Sequence, residues 1–548
     1  MNAEVSPTLL SHLKPCNPLP TSVNTPIHVH NLAIALSLHP DPILVDYVIN
    51  GLTHGFLIGF TGTRTNLVSK NLLSATAHQD SVTSALCVEL SRGHTSGPFI
   101  APPFFTLHCS PLGSAEKKDH SRRLIMDLSQ PTGHSINDGI QKVEFPIKYS
   151  LFDDATDMVF QQGRSCLMSK IDIKHAFRLL PVHPSQWNLL GIFWLGYYFI
   201  DTVLPFGLRS SPAIFNCFAD LVCWILQTQY NLFIMHYSDD FFLVSNNNLL
   251  DATHNTNRAI NAFQKFNIPI ALDKLEGPST TITFLGIEIN SDTLMIRLPD
   301  DKYADILSLL HAWSSRKKCT KKDLLSLIGK LSFACKVIRP GRFFLRRLIN
   351  LSTTVTQLHH HISLNKNTQA DIEWWLKWFP TWNQCSIIPE HYTTTSVEIK
   401  LYTDASKNGF GAVYNRSWIQ GRWPVNIISQ SIDFLELFAI LAACLTWGSK
   451  WSGKQILFFT DNLPIVQAWN KKSSSSPAIM SLLRSLFFIA VKGEYSVAFT
   501  HIPGHFNISA DAISRFQLQR FFEAMPDADR EPTLIPHDAW EILHKHHS

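Results

Sequence analysis

Two apolar runs enclose a short polar segment near the middle of the chain. The runs are Leu232–Met235 and Phe241–Val244, and the segment between them contains Tyr237-Ser238-Asp239-Asp240. This pattern predicts two buried strands joined by a tight turn. Adjacent carboxylates repel each other and resist desolvation, so such a turn indicates a nearby counter-charge, most simply a divalent cation. Because Ser and Asp are also common turn residues, an ordinary polar hairpin tip is the alternative interpretation.

A third carboxylate ends an alternating segment upstream of this hairpin. In Leu167–Ile173, period-two alternation places Lys170 and Asp172 on one face of a predicted strand and apolar side chains on the other. If this strand pairs beside the hairpin, Asp172 converges with Asp239 and Asp240. Such a cluster can hold two Mg2+ ions about 3.5–4 Å apart. The pattern therefore predicts metal-assisted chemistry.

The C-terminal third contains a second series of acids. Val397–Ser406 alternates as a half-buried strand that includes Asp404, and Glu436 interrupts an otherwise apolar helical run. Asp461 ends another apolar strand, and Asp511 lies in a later helical segment. Each acid alone is also explained as a strand-end cap or a solvated helix residue, and for Glu436 this is the simpler interpretation. Together they form a strand, helix, strand, helix series with one acid apiece.

Local basic segments, rather than net charge, are the candidates for nucleic-acid binding. The formal net charge is only +4. A helical-looking stretch, Leu324–Leu348, is broken at Pro340-Gly341 and mixes basic with apolar side chains, an arrangement that can follow phosphates. An ordinary solvated helix face is the alternative. The candidate basic residues are Arg316, Lys317, Lys318, Lys321, Lys322, Arg339, Arg342, Arg346 and Arg347.

Length and composition are typical of a large intracellular protein. At 548 residues with 45% hydrophobic content, the chain is predicted to form several domains with large cores. Ten cysteines occur without a CxxC pair, which predicts neither a zinc module nor a disulfide framework. No apolar run reaches about 18 residues, and the N-terminus lacks a signal-peptide pattern. We expect a soluble protein of the cytoplasm, the nucleus or both, with no membrane partner.

Four segments resemble, in the same order, the palm motifs of a reverse transcriptase. They are Asp172–Phe177, Leu204–Phe215, Tyr237–Asp240 and Phe284–Ile289. The resemblance implies that Asp172, Asp239 and Asp240 form the polymerase metal site. It also implies that Phe177 takes the place of the aromatic gate that collides with a ribose 2′-hydroxyl. Plain core packing is the alternative for Phe177.

Basic residues fall at positions that contact the incoming nucleotide in this family. Ser121–Asp127 resembles the fingers motif in which a basic residue neutralises the triphosphate. By spacing from its last residue, Arg123 is the predicted contact, with Lys117 or Lys118 as a second one. A solvated basic loop is the alternative for these lysines. Lys274 fits a later palm position near the nucleotide.

The segment around Gly207 is also predicted to contact nucleotide or template. A residue without Cβ lets the backbone approach a ligand closely, although a surface turn that opens the next helix is the alternative. Two residues depart from the reverse transcriptase pattern. Ser238 replaces the more usual Met, Val or Ala, and Phe206 stands where retroviral enzymes carry Gln and matches gypsy-type retroelements. Neither change removes a metal ligand, so they put fidelity and nucleotide affinity in doubt, not activity.

The C-terminal acids closely resemble those of ribonuclease H. The resemblance implies that Asp404, Glu436, Asp461 and Asp511 bind two Mg2+ ions, with Mn2+ as the alternative ion at both sites, and hydrolyse RNA paired to DNA. His505 falls at the Gly-His position of the family, where it would assist product release or proton transfer. The loop from it to the last acid is shorter than in cellular ribonucleases H, which puts this role in doubt.

The whole chain is similar to the equivalent region of DIRS-like, tyrosine-recombinase retrotransposons, although the similarity is specific only at the motifs. A recombinase encoded by the same element is therefore a predicted partner. Near the N-terminus, Asp41 and Pro42 predict a helix over residues 43–52. The predicted domains are an N-terminal retroelement extension (1–95), reverse transcriptase fingers and palm (96–295), thumb and connection (296–395), a ribonuclease H-like domain (396–520) and a C-terminal tail (521–548).

These observations predict a multidomain α+β fold. It would comprise reverse transcriptase fingers, palm and thumb, followed by a C-terminal α/β ribonuclease H-like domain. The expected activity is RNA-directed DNA polymerisation with ribonuclease H. The expected partners are an RNA template, a DNA primer, dNTPs and the RNA–DNA hybrid. The alternative is a catalytically silent nucleic-acid-binding relic of a retroelement, against which the intact acids of both sites argue. A DNA-templated polymerase fits poorly with a fused ribonuclease H.

Overall fold

A computed structural model of the protein describes residues 18–117, 120–382, 386–387, 399–452 and 454–545. Contacts divide the chain into two compact units. The first comprises Met1–Leu285 with Ile289–Leu294, and the second comprises Gly286–Glu288 with Met295–Ser548. Each unit combines helices with sheets, so the fold is multidomain and mixed α and β, as the sequence predicts.

The first unit contains an N-terminal helical region and several sheets. Its α-helices are α1 (Val29–Ala35), α2 (Pro42–His54), α3 (Leu73–Ala77), α4 (Gln79–Ser91), α5 (Phe152–Gln162), α6 (Ser211–Thr228) and α7 (Leu249–Lys265). Its first strands are β1 (Leu67–Val68), β2 (Thr95–Phe99), β3 (His108–Cys109), β4 (Leu112–Glu116), β5 (Arg122–Met126) and β6 (Leu167–Asp172). They are followed by β7 (Gly191–Trp194), β8 (Tyr197–Asp201), β9 (Ile234–Tyr237), β10 (Asp240–Ser245), β11 (Glu276–Ser279) and β12 (Thr281–Phe284).

A four-stranded antiparallel sheet carries two of the four predicted palm motifs, those that contain Asp172 and Tyr237–Asp240. Its strand order is β11-β6-β10-β9. Helix α6 packs against β9, and α7 packs against β6 and β10, which confirms the predicted helix-backed antiparallel palm. Helix α6 begins with Ser211-Pro212, since proline suits the first helical turn, and its buried side chains include Phe215 and Phe218.

Two further sheets lie within the first unit. A five-stranded sheet has the order β1-β3-β7-β8-β2, and β4 and β5 form a separate antiparallel hairpin in which Ala115 lies opposite Arg123. Several short 3-10 helices also belong to the described part of this unit. They are Asn137–Gly139, Lys142–Glu144, Ala176–Leu179, Pro184–Leu189 and Leu272–Lys274.

The second unit begins with a mainly helical region that leads into a large mixed sheet. Its α-helices are α8 (Asp300–Ser314), α9 (Lys321–Ala334), α10 (Arg346–Ser352), α11 (Lys366–Trp382), α12 (Ile432–Trp447), α13 (Leu463–Lys471), α14 (Pro477–Lys492), α15 (Ile508–Ser514), α16 (Leu518–Ala524) and α17 (His537–Lys545). Strand β13 (Ile287–Asn290) spans the division between the units. The later strands of the second unit are β14 (Met295–Arg297), β15 (Lys318–Thr320), β16 (His361–Ser363), β17 (Ser386–Ile387), β18 (Ile399–Ala405), β19 (Gly409–Tyr414), β20 (Ser417–Arg422), β21 (Gln455–Thr460) and β22 (Ser496–His501). Its 3-10 helices are Arg339–Phe344, Gly448–Lys450 and Gly504–Phe506.

The large sheet of the second unit has the order β20-β19-β18-β21-β22. Strands β18, β19 and β20 pair antiparallel, whereas β21 and β22 are parallel to β18, which confirms the predicted mixed sheet. Helix α12 packs on β18 and β19. Within the described residues, Ile432–Lys450 is a helical stretch long and apolar enough to cross a membrane, but 72% of its apolar window is buried inside the fold, as in a core helix.

The chain after α16 covers the outer edge of this sheet. The backbone NH of Asp529 donates to the carbonyl of Arg416 at 2.8 Å, and that of Thr533 donates to Trp418 at 2.7 Å. Further along, Trp540 of α17 lies 5.9 Å from the ring of Phe410. The C-terminal segment therefore packs as part of the sheet-containing unit.

Candidate active sites

The palm hairpin brings the three predicted polymerase acids together. In the β6–β10 pairing Asp240 lies directly opposite Asp172, and opposed residues of antiparallel strands project from the same face. Asp239 lies in the two-residue turn between β9 and β10, and its carbonyl accepts the backbone NH of Ile173 at 3.0 Å. Ser238, the other turn residue, adopts a left-handed φ of 55°. The acids thus converge at one end of the sheet.

Asp239 and Asp240 are in an environment that disfavours their charge. Burial raises the pKa of Asp240 to about 6, and the charges of Asp239 and Asp172 add to the effect, while Lys170 and Lys274 oppose it. Burial and Asp172 also raise the pKa of Asp239, although local hydrogen bonds oppose the shift. Two or more carboxylates forced together favour a cation, and oxygen ligands suit Mg2+ or Mn2+. The donor set therefore fits the predicted metal site.

Lys274 supplies a positive charge to this cluster. Its Nζ donates to Asp172 Oδ1 at 3.3 Å and to Oδ2 at 3.1 Å, and its side chain is 59% exposed. The hydrogen bond from Lys274 to Asp172 raises the pKa of the lysine. Lys274 thus contacts a predicted metal ligand, and its predicted contact with a nucleotide stays a prediction.

Phe177 lies on the 3-10 helix that follows β6 by a short turn. Its ring is half-buried and packs against Phe206, with centroids 5.2 Å apart, and against Phe215, at 5.4 Å. Phe206 is 58% exposed. The two phenylalanines therefore form an aromatic surface at the edge of the core. This packing is compatible both with a gate and with the core alternative.

Gly207 is tied to the end of the β4–β5 hairpin through a residue that the sequence did not reveal. Its φ is 90°, and a Cβ at this position would lie 3.5 Å from the carbonyl of Met126. The buried Asn137 donates from Nδ2 to the carbonyl of Gly207 at 2.9 Å and to Ser129 Oγ at 2.9 Å. Its Oδ1 accepts the backbone NH of Arg209 at 2.8 Å. A buried asparagine in a polar loop carries no sequence signal for this role.

The predicted triphosphate contacts lie on the β4–β5 hairpin. Arg123 is exposed on β5, and Lys117 is exposed just beyond β4. The neighbouring Arg122 is held locally, because its Nε donates to Ser114 Oγ at 2.8 Å. Arg123 is therefore the arginine of this pair that projects to solvent. Lys118, the alternative second contact, lies outside the described residues.

Three of the four predicted nuclease acids form a compact cluster. Carboxylate oxygens of Asp404 at the end of β18, Glu436 on α12 and Asp461 after β21 lie within 4.8 Å of one another. They line a cavity of about 400 Å3 together with Asp511 and Arg515. Asp404 and Glu436 are buried, whereas Asp461 is exposed. Hard carboxylate oxygens at this spacing fit a divalent cation.

Burial shifts the titration of two of these acids strongly. It raises the pKa of Asp404 to about 7, and the charges of Asp461 and Asp511 add to the effect against a hydrogen bond from Ser514. The pKa of Glu436 is also raised, by burial first and then by Asp404 and Asp461. Raised carboxyl pKa values in a cleft are typical of metal and catalytic sites. The sequence did not single out Ser514, the last residue of α15, which directly precedes Arg515.

Asp511 is engaged by two arginines and is not a member of the compact cluster. Its Oδ1 accepts Arg515 Nε at 2.6 Å, and its Oδ2 accepts Arg520 Nη1 at 2.6 Å. Burial alone would raise its pKa, but these hydrogen bonds and charges hold the pKa below its ordinary value. Arg520 lies on α16, within residues 396–520 but beyond the motif that carries Asp511. Its contribution could not be read from the local sequence.

His505 lies on an exposed turn beside the cluster. It belongs to the 3-10 helix Gly504–Phe506, and its ring packs on Phe506 with centroids 4.2 Å apart. The preceding Gly504 is close to Asp461, since a Cβ there would lie 3.1 Å from Asp461 Oδ2. The turn that carries His505 therefore borders the exposed acid of the site. A direct catalytic role for His505 stays a prediction.

Comparisons with known proteins match part of the chain to a protein family and a longer part to transposon polyproteins. Residues 116–289 match the family model described as "Reverse transcriptase (RNA-dependent DNA polymerase)". Curated relatives include the Transposon Tf2-3 polyprotein and the Transposon Tf2-7 polyprotein of Schizosaccharomyces pombe, which are 23% and 22% identical over 448 residues. These alignments cover 78% of this chain, which spans about 30% of the length of the polyproteins.

The matches among solved structures include foamy viral proteins. One is the foamy viral protease-reverse transcriptase in complex with RNA/DNA hybrid, with a TM-score of 0.48 and 15% identity over 90% of this chain and 66% of that chain. Another is the foamy viral protease-reverse transcriptase dRH in complex with double-stranded DNA, also with a TM-score of 0.48 and 15% identity, over 91% of this chain and 86% of that chain.

Proposed function

We propose, from the premise that residues 116–289 form a reverse transcriptase domain of a retrotransposon, that this chain is an RNA-directed DNA polymerase with a ribonuclease H. It would copy retroelement RNA into DNA and degrade the RNA of the resulting hybrid. The observation that carries the proposal is the pairing of Asp240 opposite Asp172 beside the Asp239 turn, inside the matched segment. A second acidic cluster in a separate unit supports the second activity.

In the proposed polymerase reaction, a primer 3′-hydroxyl attacks the α-phosphate of a dNTP and pyrophosphate leaves. When bound, Mg2+ ions activate the attacking oxygen and stabilise the leaving phosphate oxygen. Asp172 and Asp239 would hold these ions, with Asp240 completing the anionic cluster. Arg123 and Lys117 would neutralise the triphosphate as basic donors, and Phe177 would exclude a 2′-hydroxyl.

In the proposed nuclease reaction, the four C-terminal acids would hold the metal ions for RNA cleavage. Asp404, Glu436 and Asp461 offer the compact set of carboxylate oxygens. Asp511, which is bound by Arg515 and Arg520, would be the fourth ligand. Charge-assisted hydrogen bonds of this kind are strong, so Arg515 and Arg520 would hold Asp511 in a fixed orientation. His505 would help at the border of the site.

Three finer statements remain part of the proposal. The DIRS-like subtype and a recombinase from the same element rest on resemblance outside the motifs, whereas the curated relatives include Tf2 polyproteins. The predicted domain boundaries rest on the motifs.

The principal test is primer extension on an RNA template by the purified full chain with Mg2+ and dNTPs. Extension supports the polymerase, and template binding without extension by well-folded protein would favour the relic.

Replacing Phe177 by Ala or Val tests the gate. Removal of the clash with the 2′-hydroxyl should lower the preference for deoxyribonucleotides by roughly 10- to 200-fold, the range for a lost steric contact in a pocket. The ratio of kcat/KM for dNTP and rNTP measures this preference. The rate with dNTP should change less than the ratio. An unchanged ratio with intact dNTP incorporation would assign Phe177 to the core alone.

Replacing His505 by Ala should slow hybrid cleavage without abolishing it. The change leaves the acid cluster in place, so the loss should stay below the roughly 10^2-fold that marks the lower range of general acid–base catalysis. Single-turnover and steady-state cleavage, measured on the same hybrid, separate chemistry from product release. A complete loss of cleavage by folded protein would make His505 essential and contradict this expectation.

The raised pKa of Asp404 predicts pH-dependent Mg2+ binding at the nuclease site. A carboxyl with a pKa of about 7 is mainly protonated at pH 6 and mainly ionised at pH 8, and only the ionised form is a good ligand. Affinity should therefore rise roughly 10-fold as the pH increases over this range. Calorimetry of the Asp239→Asn protein, in buffers of different ionisation enthalpy, should detect proton release that is larger at pH 6 than at pH 8. Equal release at both values would contradict the prediction.

A further inference from the structure

We propose that Arg178 is a positioning residue for the Phe177 gate. Arg178 forms a buried ion-pair network with Asp201 and Glu89, called the clamp below. Through this clamp it sets the discrimination between deoxyribonucleotides and ribonucleotides without itself contacting the nucleotide. The inference deepens the proposed polymerase function and rests on it. It is carried by the contacts of a guanidinium that directly follows the gate residue in the chain.

The Arg178 side chain is buried and fully engaged. Its Nη1 donates to Asp201 Oδ2 at 2.7 Å and its Nη2 to Oδ1 at 2.8 Å, a bidentate arrangement. Its Nη2 and Nε also donate to Glu89 Oε2, at 2.7 and 3.0 Å. Only 9% of the side chain is exposed. Glu89 lies on α4 and Asp201 ends β8, so the guanidinium joins three elements that are distant in sequence.

The backbone before Phe177 needs such support. His175 has a φ of 68° and Ala176 a φ of 35°, and a positive φ is uncommon for any residue other than glycine, more so for alanine than for histidine. The 3-10 helix Ala176–Leu179 is one short turn, which has little stability of its own. Strained backbone of this kind persists where the surrounding structure holds it. The clamp on Arg178 supplies that restraint one residue from the gate.

A second contact links the clamp to the strained segment from its other side. His94 Nδ1 lies 2.9 Å from Glu89 Oε2, and the ring of His94 is edge-on to His175 with centroids 6.2 Å apart. The same carboxylate thus touches Arg178 and the residue that packs on His175. The aromatic contacts of Phe177 with Phe206 and Phe215 then fix the ring on a segment whose backbone is already restrained.

A merely structural ion pair is the alternative. Buried ion pairs can often be replaced by packed apolar residues without loss of stability, so stability alone does not explain the network. A structural role would lower thermal stability in Arg178 variants while leaving sugar discrimination unchanged. A positioning role would change discrimination, and it would do so only when Phe177 is present. The dependence on Phe177 separates the two.

The test is a double-mutant cycle in the full chain. Arg178→Met and Arg178→Lys are made alone and together with Phe177→Ala, and the ratio of kcat/KM for dNTP and rNTP is measured for each. We expect Arg178→Met to lower discrimination roughly 10-fold, at the lower end for a displaced steric contact, and Arg178→Lys to lower it less. In the Phe177→Ala background, the same changes should have less than about a twofold effect, because the contact they position is gone.

Arg92→Met is the matched control. Arg92 contacts the same acid, with Nη1 3.3 Å from Glu89 Oε1, but its side chain is 40% exposed and it caps the C-terminal end of α4. It should retain wild-type discrimination. If Arg178→Met does not fold, as judged by circular dichroism and thermal melting, Asp201→Asn and Glu89→Gln weaken the clamp with little change in shape. Their discrimination should fall in the same direction.

Three results would overturn the inference. The first is wild-type discrimination in folded Arg178→Met, or in both Asp201→Asn and Glu89→Gln. The second is an equal loss of discrimination with and without Phe177. The third is an unchanged ratio of kcat/KM for dNTP and rNTP in Phe177→Ala itself. Absence of extension by wild-type protein is a different outcome, because it refutes the polymerase proposal. Extension by wild type with an unaltered sugar ratio in the variants refutes the positioning role alone.

Discussion

Asp239→Asn is expected to abolish primer extension while template binding and hybrid cleavage persist. Asparagine keeps the shape of the turn residue but removes the charge that would hold a divalent cation beside Asp172 and Asp240. Removing one preorganised electrostatic group from an active site costs roughly 10^2- to 10^3-fold in kcat, and loss of a metal ligand should cost at least as much. Asp172→Asn should have the same effect. Extension of a DNA primer on an RNA template measures it.

Asp46→Asn provides the matched control for this experiment. Asp46 is an exposed acid on α2 of the same unit, so the substitution changes net charge equally without touching the palm. Template affinity should be close to wild type in all three variants. Wild-type extension by folded Asp172→Asn or Asp239→Asn would contradict the metal assignment.

Asp404→Asn or Asp461→Asn is expected to stop cleavage of the RNA strand in an RNA–DNA hybrid and to leave primer extension near wild type. The two acids belong to the compact cluster of the second unit, whereas the palm acids belong to the first. Each cluster can bind its own ions, so loss of one should not affect the other. The loss should again be at least about 10^2- to 10^3-fold. Cleavage of a labelled hybrid and primer extension are measured on the same preparations.

Asp527→Asn is the control for the nuclease variants, because Asp527 is an exposed acid of the same unit. The reciprocal experiment uses Asp239→Asn, which should retain hybrid cleavage. Simultaneous loss of both activities in every well-folded acid variant would contradict two separate sites. It would indicate either one shared site or a folding dependence between the units.

The sequence predicted those elements whose cause is local. The apolar runs around Tyr237–Asp240 form β9 and β10, and the predicted helix over residues 43–52 is observed as Pro42–His54, with Asp41 Oδ1 accepting the NH of Leu44. Hydrophobic periodicity and capping act over a few residues, so they can be read from one sequence.

The parts of the sites that escaped prediction depend on residues far apart in the chain. Arg178 meets Glu89 across 89 positions, and Asn137 meets Gly207 across 70. No local pattern distinguishes such a buried polar residue from a surface one. The helical-looking Leu324–Leu348 is likewise divided into Lys321–Ala334, the 3-10 helix Arg339–Phe344 and the start of Arg346–Ser352. The first helix already ends at Ala334, and Pro340 lies instead in the first turn of the 3-10 helix.

The C-terminal segment that covers β20 has a consequence for any shortened form of the protein. Strand edges with free NH and carbonyl groups pair readily with other chains, and natural sheets protect them. A chain that stops at the end of α16 keeps every nuclease acid and both arginines that contact Asp511, but it loses the hydrogen bonds of Asp529 and Thr533 to Arg416 and Trp418 at the outer strand. We expect such a product to self-associate through the exposed edge, so its inactivity would report aggregation and would say nothing about the chemistry of the acids.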